Sequence, residues 1–147
     1  MATGMMASDN KAIARYLTEE IFNKGNMDQV DKVIAPDFTH HDPNTREFTS
    51  GPEGYRKFYE RYRKAFPDLH ITIEQQISEG NLVVDRWIGT GTHQGELMGM
   101  PPTGKKVHIT GITIHRISGG KIVETWNNYD SLSMVQQLGL FQTHTLK

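Results

Sequence analysis

The side chains best suited to chemistry in this sequence are histidines that lie near acids and amides. Phe38-Thr-His-His-Asp42 places His40 and His41 beside Asp42, His93 stands before a glycine-rich segment, and His115 falls in an alternating apolar stretch. The segment KIVETWNNYD, Lys121–Asp130, starts as an ordinary strand and closes on two carboxamides and an acid. The chain has no cysteine, which excludes thiolate nucleophiles, disulfides and cysteine-ligated metals. Proton transfer by imidazole or carboxylate remains. A metal site on His40, His41 and Asp42 is not expected, because adjacent residues rarely aim at one ion and no distant partner is evident. His41 and Asp42 read as turn residues, with Asp42-Pro43 shaping a loop. An asparagine pair at a strand end reads first as turn and capping chemistry, and Asp130 then starts a helix.

The periodicity places these residues on elements. Ser8 or Asp9 caps a helix over roughly 9–23, with Ile13, Tyr16, Leu17 and Ile21 on its apolar side and Gly25 after its end. Asp28 caps a short second helix bearing Val30, Val33 and Ile34, stopped by Pro36. A polar, turn-rich segment leads to a third helix that starts at Ser50-Gly-Pro. Its stripe of Tyr55, Phe58, Tyr59 and Tyr62 packs into a core or turns a tyrosine toward a ligand, and its basic residues read as a solvated face.

After Pro67 the period changes to two. Four antiparallel strands follow: from His70, with Ile71, Ile73 and Ile77 on one face; Leu82–His93; Val107–Ile117; and Lys121 to about Asn128 after a Gly119-Gly120 hairpin. Asp130 or Ser131 caps a last helix ended by Gly139. Asp85 and Arg86 are consecutive on a strand and point to opposite faces. Trp87 shares a face with Asp85, Gly89, Gly91 and His93, a pattern that suits a cavity wall or plain core packing. In the last strand Val123, Thr125 and Asn127 fall together, opposite Ile122, Glu124, Trp126 and Asn128. The class is α+β, one domain over 1–147, with helices over one face of a curved sheet and room for a cavity between them.

Composition narrows the partners. Sixteen basic residues against seventeen acidic ones give no reason to expect a polyanion or an acidic membrane surface. Neither a signal-like opening nor a run of ~20 apolar residues is present, so a cytoplasmic protein without nucleic-acid or membrane partners is expected.

The run Gly91-Thr-His-Gln-Gly-Glu-Leu-Met-Gly-Met-Pro-Pro-Thr-Gly-Lys105, then Arg116-Ile-Ser-Gly-Gly-Lys-Ile-Val-Glu-Thr-Trp126 and Leu132–Gly139, resembles the SnoaL-like polyketide cyclase (ester cyclase-like) family over nearly the whole chain. The resemblance implies a nuclear transport factor 2-like cone, frequently a homodimer through the outer sheet face, with an apolar pocket for a small apolar or aromatic metabolite. It also implies ring closure by intramolecular aldol condensation without metal or organic cofactor, using a pocket aspartate on the last long strand.

In that register the acid/base position falls on Asn127, and the neighbouring histidine position falls on Thr113, with His115 two residues further on the same face. An amide cannot accept and return a proton near neutral pH. Asn127 is then left to hydrogen-bond enolate charge, and the base must be His40, His93, His115, Asp130 or a water. His40 is either over the cavity or a loop histidine, and His93 either enters the pocket or bonds the following loop. The expected site is His40 and Asn127 as catalytic groups, with Trp87, His93, Thr113, His115, Thr125 and Tyr59 as pocket residues. The functions in view are an aldol-type cyclase, or related lyase or isomerase, and a non-catalytic binder of the same fold.

Overall fold

The computed structural model of the protein describes residues 7–45 and 47–140. Helix α1 (Ala7–Tyr16) includes Ser8 and Asp9, so it begins earlier than the expected start near residue 9. It widens into a π-helical segment, Leu17–Phe22, where Asn23 N donates to Thr18 O five residues back. Pro36 does not stop a helix as expected. The short α2 (Val30–Val33) ends at Val33, and Ile34 opens a strand, β1 (Ile34–His41), that contains Pro36. β1 lies at the sheet edge and its register shifts between Ile34 and Thr39, a setting that tolerates proline.

Helix α3 (Gly51–Ala65) begins with proline in its first turn, as expected. Strands β2 (His70–Glu79), β3 (Leu82–Thr92), β4 (Lys106–Ser118) and β5 (Lys121–Tyr129) follow, and α4 (Ser131–Gln137) closes the fold. Asp130 caps α4 by accepting from Ser133 N at 3.0 Å. The sheet order is β1-β5-β4-β3-β2, antiparallel except for β1, which adds a fifth strand parallel to β5.

Two bulges correct the face assignments. Ile73 pairs with Trp87 and Gln75 with Arg86, so Glu74 is an extra residue in β2. Beyond it the alternation inverts: Ile77 turns outward, 55% exposed, and Gln76 reaches Asp85 instead. Likewise Ile117 pairs with Ile122 and Arg116 with Glu124, leaving Val123 extra in β5. Ile122 is therefore fully buried in the core, while Thr125 and Asn127 keep their place on the concave side. Such bulges re-aim side chains by one position each.

The core of Ile21, Val30, Ile34, Phe38, Phe66, Val83, Ile122 and Leu138 lies between the helices and the concave face. The stripe on α3 divides: Tyr55 and Tyr62 are buried, whereas Tyr59 packs edge-on against Phe22 with ring centroids 5.5 Å apart. Arg63 is not simply solvated, since it donates to Phe22 O, Pro67 O and Leu69 O and pins α3 to the π-helical segment and the entry of β2. No helix among the described residues is long and apolar enough to cross a membrane.

Candidate functional site

Between the helices and the sheet lies a cavity of about 110 Å³. Its walls are apolar: Leu17 and Phe22 from the π-helical segment, Phe58 from α3, Ile71 and Ile109 from the sheet, Met134 from α4. Its floor is not. Strand pairing sets Asp85, Thr113 and Asn127 in one row across β3, β4 and β5, and Asp42, one residue past the end of β1, completes the row by accepting from Asn127. A second row holds His115, Thr125 and His40. Polar residues so placed need partners, because an unpaired buried polar group is costly.

The first row is satisfied by a one-way chain. The Trp87 indole N–H, which can only donate, gives its hydrogen to Thr113 Oγ1 at 2.9 Å. Thr113 Oγ1 donates to Asn127 Oδ1 at 2.6 Å, which turns the other end of the amide outward, and Asn127 Nδ2 donates to Asp42 Oδ2 at 2.9 Å. Trp87 makes its first link only because its partner across the strands is glycine: a Cβ at Gly111 would stand 2.2 Å from the indole. Asn44 N donates to Asp42 Oδ1 at 2.8 Å. Burial pushes the Asp42 carboxyl upward, but His40 beside it, the Asn127 amide and the Asn44 N–H together outweigh burial and hold it below the usual aspartate range. Asp42 is thus a carboxylate, 8% exposed; it opens the turn expected of it, its carbonyl accepting from Thr45 N at 3.0 Å, and its side chain serves the site as well.

His40 Nε2 stands 3.5 Å from Asp42 Oδ2, and its ring is packed between Phe48 and Phe58. His115 Nδ1 meets Thr125 Oγ1 at 2.9 Å while its Nε2 faces Asp85 Oδ2 at 3.6 Å. Tyr62 and Tyr129 line the same cavity with their hydroxyls 3.0 Å apart. Burial raises the pKa of both, so they stay neutral phenols that can donate to an oxyanion.

The cavity therefore brings together His40, Asn127, Trp87, Thr113, His115 and Thr125 of the expected set. It leaves out two. His93 is fully buried in the β3–β4 loop, where its Nδ1 accepts from Thr103 N at 3.2 Å and meets Thr103 Oγ1 at 3.1 Å, with its ring against Phe66. Tyr59 points to Gly25 and Arg63 instead. The glycine-rich run after His93 is anchored to α3 by Gln94 N and Gly95 N, both donating to Ala65 O. Asp130 is spent on its cap. Sequence reasoning missed Asp42 and Tyr129 as site members, and had Asp85 only on the possible cavity-wall face of β3 and Tyr62 only within the α3 stripe. For Asp42 a signal existed: Phe38, His40 and Asp42 alternate with Thr39 and His41. No three His, Asp or Glu side chains among the described residues are grouped to hold a metal ion.

Residues 12–138 match the SnoaL-like polyketide cyclase family. The chain belongs to that family. This SnoaL-like protein is 30% identical over 119 residues to nogalonic acid methyl ester cyclase of Streptomyces nogalater, covering 80% of this chain and 89% of that one. It is 32% identical over 137 residues to an aklanonic acid methyl ester cyclase of Streptomyces galilaeus, covering 91% and 92%. Among solved structures, a candidate polyketide cyclase from Acidithiobacillus ferrooxidans superposes with a TM-score of 0.81 at 33% identity, over 92% of this chain and 98% of that one.

Proposed function

We propose that the protein closes a ring in an apolar, ester-bearing polyketide by intramolecular aldol condensation carried by side chains alone. The observation that supports this reading most is a charged carboxylate, Asp42, held beside His40 at the floor of an apolar chamber. A buried carboxylate kept ionised by directed hydrogen bonds is typical of functional sites. His40, its ring wedged between Phe48 and Phe58 with the Asp42 carboxylate 3.5 Å from Nε2, removes a proton from carbon between two carbonyls. The carbanion attacks a ketone carbon to form the ring bond, and the proton returns to the new alkoxide oxygen. The phenols Tyr62 and Tyr129 donate to the enolate oxygen. Asn127, at the position where the family's acid/base residue is expected, is a positioning residue that clamps Asp42.

A chamber of about 110 Å³ is near the ~150 Å³ cavity that holds a benzene ring. Being smaller, it takes in at most about one ring, so a larger substrate enters by its reacting end. The reading extends to a homodimer through the convex face, where Ile77, Val84, Ile114 and Trp126 form one apolar row across four strands, and to a cytoplasmic protein of one domain.

The test is an assay of ring closure on nogalonic- and aklanonic-type methyl esters by chromatography, with native mass spectrometry of the protein alongside. Turnover that falls about 100-fold or more in His40→Gln supports the reading, since a general base contributes on the order of 10²–10⁴. An ester retained chemically unchanged supports instead the non-catalytic binder, which the neutral Asn127 favours.

A further inference from the structure

The two ends of the floor's first row are not alike. At Asp42 both carboxylate oxygens accept hydrogen bonds, from Asn127 Nδ2 and Asn44 N. At the other end Asp85 is 2% exposed, and its Oδ1 accepts from Gln76 Nε2 at 2.9 Å, but among the described residues its Oδ2 has no hydrogen-bond partner. His115 Nε2, at 3.6 Å, is near enough to interact electrostatically and too far for a hydrogen bond. Two neighbouring donors among the described residues are already committed. Thr113, directly across from Asp85, is committed to Trp87 and Asn127. The Gln76 amide hydrogens go to Asp85 Oδ1 and Lys11 O.

We propose that Asp85 Oδ2 is a ligand-recognition point that accepts a hydrogen bond from a hydroxyl of the occupant, a phenol or enol carried on a single apolar ring. The chamber supplies the missing hydrogen to this oxygen only when filled. The aromatic and aliphatic walls disfavour a donor that carries a full positive charge of its own, because such a group would give up its whole hydration shell for one ion pair with Asp85. A neutral hydroxyl on a ring suits both the walls and the floor. The inference deepens the cyclase reading by naming the group its substrate presents, and rests on that reading for the claim that the chamber holds a small molecule.

Phenol and toluene, nearly equal in shape and different in one hydroxyl, are the probes. Their binding is followed by titration of the Trp87 indole N–H signal in two-dimensional NMR, which also reports whether each variant is folded. Phenol is expected to bind at least about tenfold more tightly than toluene, the scale of one hydrogen bond to a charged group. That preference disappears in Asp85→Leu and persists in His40→Leu, while Asp85→Asn, which keeps an acceptor without the charge, falls between. Equal binding of the two probes by the unaltered protein overturns the inference and leaves the cyclase reading to its own assay. A preference that survives Asp85→Leu and is lost in His40→Leu also overturns it. Binding of neither probe removes the chamber as a small-molecule site and overturns both readings together.

Discussion

The floor of the chamber carries two histidine–carboxylate pairs, His40 with Asp42 and His115 with Asp85, at nearly the same separation, 3.5 and 3.6 Å. Their surroundings differ. Asp42 ends a chain of donors that starts at Trp87, so its charge is built into the fold. Asp85 is held by one amide, and among the described residues its other oxygen, although buried, accepts no hydrogen bond. The distance between histidine and carboxylate does not define the chemistry of a pair; the accounting of the carboxylate's remaining hydrogen bonds does. A satisfied carboxylate sets a fixed charge beside a base, whereas an unsatisfied one waits for a donor.

The largest break in that comparison comes from removing the base or its support. His40→Gln and Asp42→Asn are each expected to lower ring-closure turnover by about 100-fold or more, measured under saturating ester. Asn127→Asp sharpens it. A carboxylate placed where the amide now stands, 2.9 Å from Asp42 Oδ2, makes the two acids share a proton, so turnover is expected to fall by about tenfold rather than rise, with the loss deepest at low pH. Gain of activity in Asn127→Asp would show that the strand position, not Asp42, seats the acid.

Gly111→Ala tests the chain at its origin. The added methyl meets the Trp87 indole, and overpacking of this kind costs about 1–3 kcal/mol, read by urea unfolding, with Trp87 displaced from Thr113 in the near-ultraviolet circular dichroism. The pH dependence of stability separates the charged end from the rest. Because the folded-state pKa of Asp42 lies below its ordinary value of 3.8, its contribution is complete above that value and is lost as pH falls through the folded value. The stability gap between the protein and Asp42→Asn is therefore expected to be constant at neutral pH and to close in acid. The smallest effect belongs to the convex face, where Glu124 is kept below the usual carboxylate range chiefly by Arg116, then by His41. Arg116→Ala there is expected to cost under about 1 kcal/mol, because the pair is open to solvent and screened by salt.

Local pattern made most of the elements legible: the capped α4, the proline-started α3, the Gly119–Gly120 hairpin and strands β2 to β5 fall within a residue or two of where period and turn chemistry place them. The family was legible too, in runs that the fold uses for anchoring: His93 ties its own loop to Thr103. What escaped depends on pairing between distant segments. Proline and polar residues hid β1, whose ladder is supplied by β5 some eighty residues later. The bulges at Glu74 and Val123 shift side chains by one position without any glycine to announce them. The turn at Asp42 was legible, but its place in the site was not, because its partner Asn127 is 85 positions away.

The most direct measurement of the central claim is exchange of the acidic carbon-bound proton of a β-ketoester probe for deuterium, followed by NMR in the unaltered protein, Asp42→Asn and Asn127→Ala. The account predicts rapid exchange in the first, loss of about 100-fold in the second and an intermediate rate in the third. Exchange that proceeds undiminished in Asp42→Asn would contradict it.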